Sequence, residues 1–254
     1  MQDFEKRNDG ETGLVVHVHV PKTAGSTVNR YLEAALGPGA DHVQRFLDGD
    51  RFGNDLVPAA WIAGHVPLPV MQCAVQARGL VARYLTALRE PAAHVASHYN
   101  WLIEIGRRDP AFFAGHPEHI REIHRRIAAA DNTSPRAIIA NLEENARLFL
   151  NCQAHYAIGP DYANPAISYA ARLDAYDVVV DSADPAAALG PILGPAALGS
   201  GVVNRSTAHF DRSVFETGTL REFLADRNRH DNALWAIAVA RFRRRERIAL
   251  RAAG

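Results

Sequence analysis

The sequence predicts an α/β fold in which a central parallel β-sheet is flanked by helices, and three observations support this prediction. Residues 13–20 (GLVVHVHV) are rich in β-branched residues and have almost no polar face, as is typical of a strand buried in a parallel sheet. Residues 27–36 then have helical periodicity and stop at the glycines and proline of residues 37–39. The same order recurs where residues 81–88 (VARYLTAL) predict a strand and Pro91 predicts the first turn of a helix.

Weaker patterns complete the predicted domain. The other predicted elements are a short strand at residues 61–65, a charged helical insertion at residues 104–130, a helix at residues 141–153, a strand at residues 176–181, a short helix within residues 183–201 and a C-terminal helix at residues 220–253. No internal repeat or long linker divides the chain. We therefore predict a flexible N-terminus at residues 1–12 and one domain at residues 13–254.

Composition excludes several classes of protein. Hydrophobic residues make up 48% and charged residues 22% of the chain, which argues against a disordered or fibrous protein. The formal net charge is zero, which argues against a general nucleic-acid-binding protein. The N-terminal residues lack an apolar signal-peptide core, and no run approaches the roughly 18 apolar residues that span a bilayer. We therefore predict a soluble, cytoplasmic protein without a transmembrane segment, and leave its oligomeric state open.

The cysteine pattern argues against a disulfide framework and a metal site. Cys73 and Cys152 lie far apart, and neither belongs to a C-x-x-C pair or has the ligand spacing of a Cys/His zinc motif. The sequence therefore predicts two free thiols and no bound metal.

The segment that follows the first predicted strand, PKTAGST, has the composition of an anion-binding loop. Backbone N–H groups at a helix N-terminus point outward and attract anions. Lys22 supplies a positive charge, Gly25 allows close approach, and the hydroxyls of Thr23, Ser26 and Thr27 can donate to the same oxygens. The order is not G-x-x-x-x-G-K-[ST], which disfavours a Walker-type nucleoside triphosphatase. A helix capped by Thr23 or Ser26, with Lys22 in solvent, is the structural alternative.

A second anion-binding pair follows the strand predicted at residues 81–88. Arg89 lies at the end of that strand and Ser97 on the following helix, so a guanidinium and a hydroxyl can converge on one anion. Together, PKTAGST and the later LREPAAHVASHY resemble the two nucleotide-binding motifs of sulfotransferases that use 3′-phosphoadenylyl sulfate (PAPS). The similarity is greatest to the carbohydrate-modifying branch that includes heparan sulfate 2-O-sulfotransferase. Within that branch, the chain resembles a soluble, bacterial-type member.

This resemblance implies a P-loop-like sulfotransferase fold, PAPS as co-substrate, 3′-phosphoadenosine 5′-phosphate (PAP) as product and no metal in the reaction. Arg89 and Ser97 would hold the 3′-phosphate. Glu90 stands where the family usually has aspartate, and His94 where arginine is frequent. The residues implied to bind the 5′-phosphosulfate are Lys22, Thr23, Ala24, Gly25, Ser26 and Thr27.

The segment Ala63-Gly64-His65-Val66 resembles the Gly-His segment that carries the catalytic base in the 2-O-sulfotransferase-like branch. We therefore predict that His65 deprotonates the acceptor hydroxyl and that Lys22 is the second catalytic residue. A core or capping histidine is the structural alternative for His65. The resemblance also places residues 151–153 where the family has an Asn-x-Gln segment.

The acceptor and two other classes of function stay open at this stage. A carbohydrate or glycolipid hydroxyl is favoured as acceptor, with peptide tyrosine or a small metabolite as alternatives. A P-loop kinase-like phosphotransferase and a non-catalytic nucleotide-binding protein are the other classes. Asp181 follows three valines like a Walker B acid that positions magnesium, but without a matching Walker A loop we predict a strand followed by a turn there. The Arg/His-rich residues 104–130 either face an anionic acceptor or form a solvated helix face. Tyr99 and Trp101 either stack on a ligand or belong to the core.

Overall fold

A four-stranded parallel sheet forms the centre of the fold. The computed structural model describes residues 13–45, 59–198 and 207–253. The strands are β1 (Leu14–Val18), β2 (Trp61–Gly64), β3 (Ala82–Leu88) and β4 (Val178–Asp181), in the order β2-β1-β3-β4. All three pairings are parallel, and the register aligns Val18 with both Gly64 and Thr86. The predicted α/β class, with a central parallel sheet flanked by helices, is confirmed.

Helices connect and cover these strands. They are α1 (Gly25–Leu36), α2 (Leu68–Gln76), α3 (Pro91–Ile105), α4 (Pro110–Ala114), α5 (Glu118–Ala129), α6 (Pro135–Glu144), α7 (Ala146–Phe149), α8 (Cys152–Ala157), α9 (Tyr169–Leu173), α10 (Pro185–Leu193), α11 (Gly218–Arg227) and α12 (Arg229–Ala253). Short 3-10 turns lie at Val43–Arg45, Pro195–Leu198 and Arg212–Glu216. Among the described segments, no helix combines the length and the apolar character that a membrane span requires.

The chain forms two compact units, each discontinuous in sequence. The first unit comprises Met1–Arg89, Gln153–Asn204 and Leu234–Gly254 and contains the whole sheet. The second unit comprises Glu90–Cys152 and Arg205–Ala233, and its described residues are helices and turns. The predicted domain boundaries stay a prediction, and the N-terminal segment predicted to be flexible lies outside the described residues.

Strand residues of the first unit alternate between the two faces of the sheet. Val15 and Trp61 pack with Leu32 of α1 and with α10, whereas Val16 and Ile62 pack with residues of α2 on the opposite face. This alternation follows from the two-residue period of a strand. Because both faces are covered by helices, the strands are apolar on both sides, as the sequence pattern predicted.

The second unit has a separate aromatic core. Tyr99 is fully buried there and packs near Phe149 and Phe215. The Tyr99 hydroxyl donates to Asn132 Oδ1 at 2.7 Å and accepts from Asn141 Nδ2 at 3.1 Å. These contacts make Tyr99 a core residue rather than a stacking surface for a ligand.

The charged insertion at residues 104–130 contains two helices, α4 and α5. On α5, the exposed Glu118 carboxylate pairs with Arg121 and, at 3.0 Å, with Arg125. Arg108 pairs in the same way with Glu104 of α3, at 2.6 Å. Because these arginines pair with neighbouring carboxylates, the insertion is better interpreted as a solvated helix face than as a surface that binds an anionic acceptor.

Asparagines divide two segments that the sequence predicts as continuous helices. The predicted helix at residues 141–153 is interrupted at Asn145 and at Asn151, and the predicted C-terminal helix is interrupted at Asn228. Asn151 has a positive φ of 56°. Its backbone N–H donates to Asn228 Oδ1 at 2.5 Å, and its own Oδ1 accepts from the His230 N–H at 3.0 Å. These side-chain hydrogen bonds replace helical backbone hydrogen bonds, which is why both helices break there.

Candidate functional site

The candidate site lies at one edge of the sheet in the first unit. Because β1, β2 and β3 are parallel, the segments that follow them emerge at the same edge. These segments carry the loop at residues 20–24, His65 and Arg89 respectively. Ligands of open parallel sheets bind outside the carboxyl ends of the strands, where neighbouring strands connect in opposite directions. In the order β2-β1-β3-β4, the chain runs from β1 to β2 on one side and from β3 to β4 on the other, so such a point lies between β1 and β3.

The loop after β1 presents backbone N–H groups without a side-chain cap. Lys22 and Ala24 both have left-handed backbone conformations, with φ of 65° and 64°. Helix α1 begins at Gly25, and no side chain among the described residues forms its N-terminal cap. Its first hydrogen bonds run from the Thr27 and Val28 N–H groups to the Ala24 carbonyl, at 2.9 and 3.1 Å. The alternative of a helix capped by Thr23 or Ser26 is therefore wrong, and this helix terminus suits an external anion.

The three hydroxyl groups of the loop differ in their surroundings. The buried Thr23 hydroxyl donates to the Val20 carbonyl at 2.8 Å, which stabilises the turn. Ser26 is exposed, so its hydroxyl faces solvent. Thr27 is buried, and its Oγ1 has no hydrogen-bond partner within the described part of the chain. The predicted use of Thr23 as a hydroxyl donor to the anion therefore conflicts with its hydrogen bond to Val20.

Gly25 makes room for a histidine that the sequence analysis did not assign to the site. A Cβ atom placed on Gly25 would lie 1.8 Å from His19 Nε2 and 2.1 Å from its Cδ2. The His19 imidazole thus packs directly against the first residue of α1. The same ring is stacked with His17 at a centroid distance of 5.1 Å and lies 4.4 Å from the ring of His65.

The Gly25→Ala variant is expected to lose about 1–3 kcal/mol of unfolding free energy, because the new methyl group overpacks the space held by His19. Gly218→Ala is the matched control: Gly218 also begins a helix, and its Cβ would meet no heavy atom within 4 Å. Urea denaturation of both variants measures the difference. Adding His19→Ala to Gly25→Ala should recover part of the loss. Equal stability of the two glycine variants would contradict the packing of His19 against residue 25.

His65 has the geometry of a general base. Its Nδ1 lies 2.7 Å from the His19 carbonyl oxygen. A carbonyl only accepts hydrogen bonds, so Nδ1 carries the proton and the lone pair of the neutral ring is on Nε2. Burial lowers the pKa of His65 below its ordinary value of 6.5, against the opposing effect of the hydrogen bond to His19. The ring is therefore neutral at neutral pH and able to accept a proton.

The neighbouring histidines are also held neutral. Burial lowers the pKa of His17 to about 4, although its Nδ1 lies 2.6 Å from Asn29 Oδ1. Burial lowers the pKa of His19 well below its ordinary value, and the neighbouring His17, His65, His42 and Lys22 lower it further because they disfavour a second positive charge.

Arg89 is fixed by an amide that the sequence analysis did not include among the site residues. The Arg89 N–H donates to Gln153 Oε1 at 2.8 Å, and Gln153 Nε2 donates to the Arg89 carbonyl at 2.9 Å. Gln153 is buried. The Arg89 guanidinium donates to the Lys22 carbonyl at 3.4 Å, so the structure brings Arg89 to the loop. These contacts join the end of β3 to the loop after β1.

Ser97 belongs to the second unit, on α3, and is buried. The helix that carries it begins at Pro91, and the Glu90 carboxylate accepts from the Ala92 and Ala93 N–H groups at 3.1 and 2.6 Å. Glu90 is therefore a helix cap. The convergence of Arg89 and Ser97 on one phosphate stays a prediction.

Two residues that the sequence analysis missed differ in whether a local signal marks them. His19 is an imidazole at the end of an apolar strand, where a polar ring needs a specific partner. Gln44 is a second case, since its Oε1 accepts from the His65 N–H at 3.0 Å and its Nε2 lies 3.3 Å from His42 Nδ1. No periodicity marks Gln44, because its role depends on a contact with a distant strand end.

The fold and this sheet edge together define an α/β protein with an uncapped strand-loop-helix unit and an adjacent neutral histidine. Comparison of the chain with protein-family models, with curated proteins and with solved structures finds no match. Its function is therefore argued from the site.

Proposed function

We propose that the protein is a sulfotransferase that transfers a sulfuryl group from PAPS to an acceptor hydroxyl, on a carbohydrate or glycolipid. One observation carries the proposal: the uncapped loop with Lys22 and the neutral imidazole of His65 lie at the same edge of one sheet. An anion-binding loop alone fits any phosphate ligand. A base beside it fits group transfer to a hydroxyl.

In the proposed reaction, His65 Nε2 accepts the proton of the acceptor hydroxyl as its oxygen attacks the sulfur in line. The bond between the sulfur and the 5′-phosphate oxygen breaks, and its electron pair stays on that oxygen as PAP leaves. Lys22 and the N–H groups at the start of α1 stabilise this developing negative charge. The imidazolium then releases its proton to solvent. Positioning and electrostatics supply the catalysis, as in phosphoryl transfer.

The end of β4 supports this proposal over a kinase-like reaction. Asp181 Oδ1 accepts from the Ala183 N–H at 2.8 Å and so stabilises a turn. A Walker B acid holds magnesium together with a Walker A loop, and the order of residues in PKTAGST differs from that of a Walker A loop.

Thermal unfolding with PAP, ADP and ATP, each in the presence of a chelator, tests the class of nucleotide. A ligand that binds the folded state alone at about 100 times its Kd stabilises the protein by about 2.7 kcal/mol. PAP is expected to raise the unfolding temperature well above the increase given by equal concentrations of ADP or ATP. Equal shifts with PAP and ADP would contradict recognition of the 3′-phosphate.

Arg89→Ala sharpens this comparison, because we propose that Arg89 binds the 3′-phosphate. The variant is expected to reduce the shift with PAP to that with ADP, whereas Arg30→Ala, which changes an exposed arginine on α1, should keep the difference. A shift that requires both ATP and magnesium would favour the kinase-like alternative. A PAP shift without transfer to any acceptor in a broad panel would favour a non-catalytic nucleotide-binding protein.

A further inference from the structure

Three side chains of metal-ligand type meet inside the second unit. His94 and His98 lie one turn apart on α3, and Cys152 begins α8. The potential ligand atoms of the three residues all lie within 4.8 Å of one another. Their side chains are deeply buried, with exposures of 0%, 3% and 5% respectively. This His94/His98/Cys152 cluster takes no part in the proposed sulfuryl transfer.

The spacing and chemistry of the cluster fit a small transition-metal ion. Histidines at i and i+4 of a helix project to the same side, as in helical zinc-binding motifs. Zinc binds imidazole nitrogen at about 2.0–2.1 Å and thiolate sulfur at about 2.3 Å, which puts tetrahedral ligand atoms about 3.3–3.8 Å apart. Since no two of the ligand atoms are more than 4.8 Å apart, the cluster needs a contraction of at most about 1–1.5 Å to close around zinc.

The surroundings of the cluster suit a buried divalent cation. Asp231 is fully buried, and its backbone N–H donates at 3.4 Å to Oδ1 of Asn151, the residue that precedes Cys152. One thiolate and one carboxylate together carry the two negative charges that neutralise a divalent ion in an apolar interior. The rings of Trp101 and Phe149 lie 5.8 and 5.4 Å from the His98 ring and separate that side of the cluster from water.

We propose that His94, His98 and Cys152 supply three ligands of a buried zinc site that stabilises the second unit, with a water molecule in the fourth position and Asp231 balancing the charge. Binding replaces the thiol proton of Cys152, which is released to solvent. The site would link α3 to the start of α8 and to the first turn of α12. The sequence analysis predicted no metal because Cys152 lies far from the two histidines in the chain.

Cobalt(II) is the spectroscopic probe for this proposal, because a thiolate-cobalt bond gives a charge-transfer absorption in the near ultraviolet. The full-length protein, stripped of metal with a chelator, is titrated with cobalt(II) and then with zinc(II). We expect one equivalent of cobalt to produce the thiolate band, zinc to abolish it by displacement, and either metal to raise the unfolding temperature. Absence of a thiolate band in the wild-type protein would overturn the proposal without any variant.

Cys73 supplies the matched control, since it is the other cysteine of the chain and is exposed. Cys73→Ser should keep the band, whereas Cys152→Ser should remove it. Retention of the band in Cys152→Ser, or its loss in Cys73→Ser, would overturn the assignment. Asp231→Asn should keep the band and weaken cobalt binding by about 10–100-fold, as expected for an outer partner of a metal site. Unchanged affinity in that variant would remove Asp231 from the proposal.

Discussion

Lys22→Ala is expected to lower kcat for sulfuryl transfer by about 10²–10³-fold, the usual effect of removing one donor that stabilises charge in a transition state. In the proposed reaction, Lys22 neutralises charge that develops on the leaving 5′-phosphate. Its position in the loop after β1, just before the uncapped start of α1, supports that role. Steady-state kinetics with varied PAPS measure the change, and kcat should fall by more than the affinity for PAP.

The chain offers a matched control for this variant, because its lysines are Lys6 and Lys22. Lys6→Ala should transfer sulfuryl groups at the wild-type rate. In a Lys6→Arg background, Lys22 is the one lysine that an amine-directed reagent can modify, and PAP should protect it from acetylation. Wild-type kcat in Lys22→Ala, or labelling of Lys22 that PAP does not slow, would contradict its placement against the phosphate.

His65→Ala is expected to lower kcat by about 10²–10⁴-fold, the usual contribution of a general base. Affinity for PAP, measured by calorimetry, should change little, because the proposed contact of His65 is with the acceptor hydroxyl. His119→Ala, which changes an exposed histidine on α5, is the control and should keep full activity. Full turnover by His65→Ala would leave His65 as a structural histidine bound to the His19 carbonyl.

The pH dependence of the wild-type enzyme gives a second test of His65. A base acts in its deprotonated form, and the pKa of His65 is lowered from its ordinary value of 6.5. The acidic limb of kcat/KM should therefore have its midpoint below 6.5. A midpoint above that value would contradict a buried neutral base.

Stability must be followed over the same range of pH. The pKa of His17 is about 4 in the folded protein against an ordinary value of 6.5. Between pH 6.5 and about 4, the unfolded chain therefore binds a proton on His17 that the folded chain does not. The contribution of His17 to the free energy of unfolding is complete above pH 6.5 and is lost progressively as the pH falls toward 4. Urea midpoints at each pH separate loss of the base from loss of the fold.

The sequence predicted the parts of the fold and site that depend on local patterns. The apolar run GLVVHVHV predicted β1, and the position of Pro91 predicted the start of α3. The helix after PKTAGST was also predicted, although the structure begins it at Gly25, two residues earlier than the helical periodicity indicates. These features follow from neighbouring residues, so one sequence contains them.

Features that depend on distant contacts could not be predicted in this way. His65 Nδ1 lies beside the carbonyl of His19, a residue that follows a different strand, and the clamp on Arg89 comes from Gln153. The breaks at Asn151 and Asn228 depend on the hydrogen bond from the Asn151 N–H to Asn228 Oδ1. In each case the partner lies many residues away, and periodicity within one segment does not identify it.

The proposed sulfuryl transfer is assayed with radiolabelled PAPS in the presence of a chelator. The acceptors are a panel of glycans, glycolipids, tyrosine peptides and small hydroxyl compounds. We predict that wild-type protein labels at least one acceptor and forms an equal amount of PAP, and that Lys22→Ala and His65→Ala lose this activity while Lys6→Ala and His119→Ala keep it. Transfer of phosphate from ATP in the presence of magnesium, with no label passing from PAPS, would contradict the proposed sulfuryl transfer.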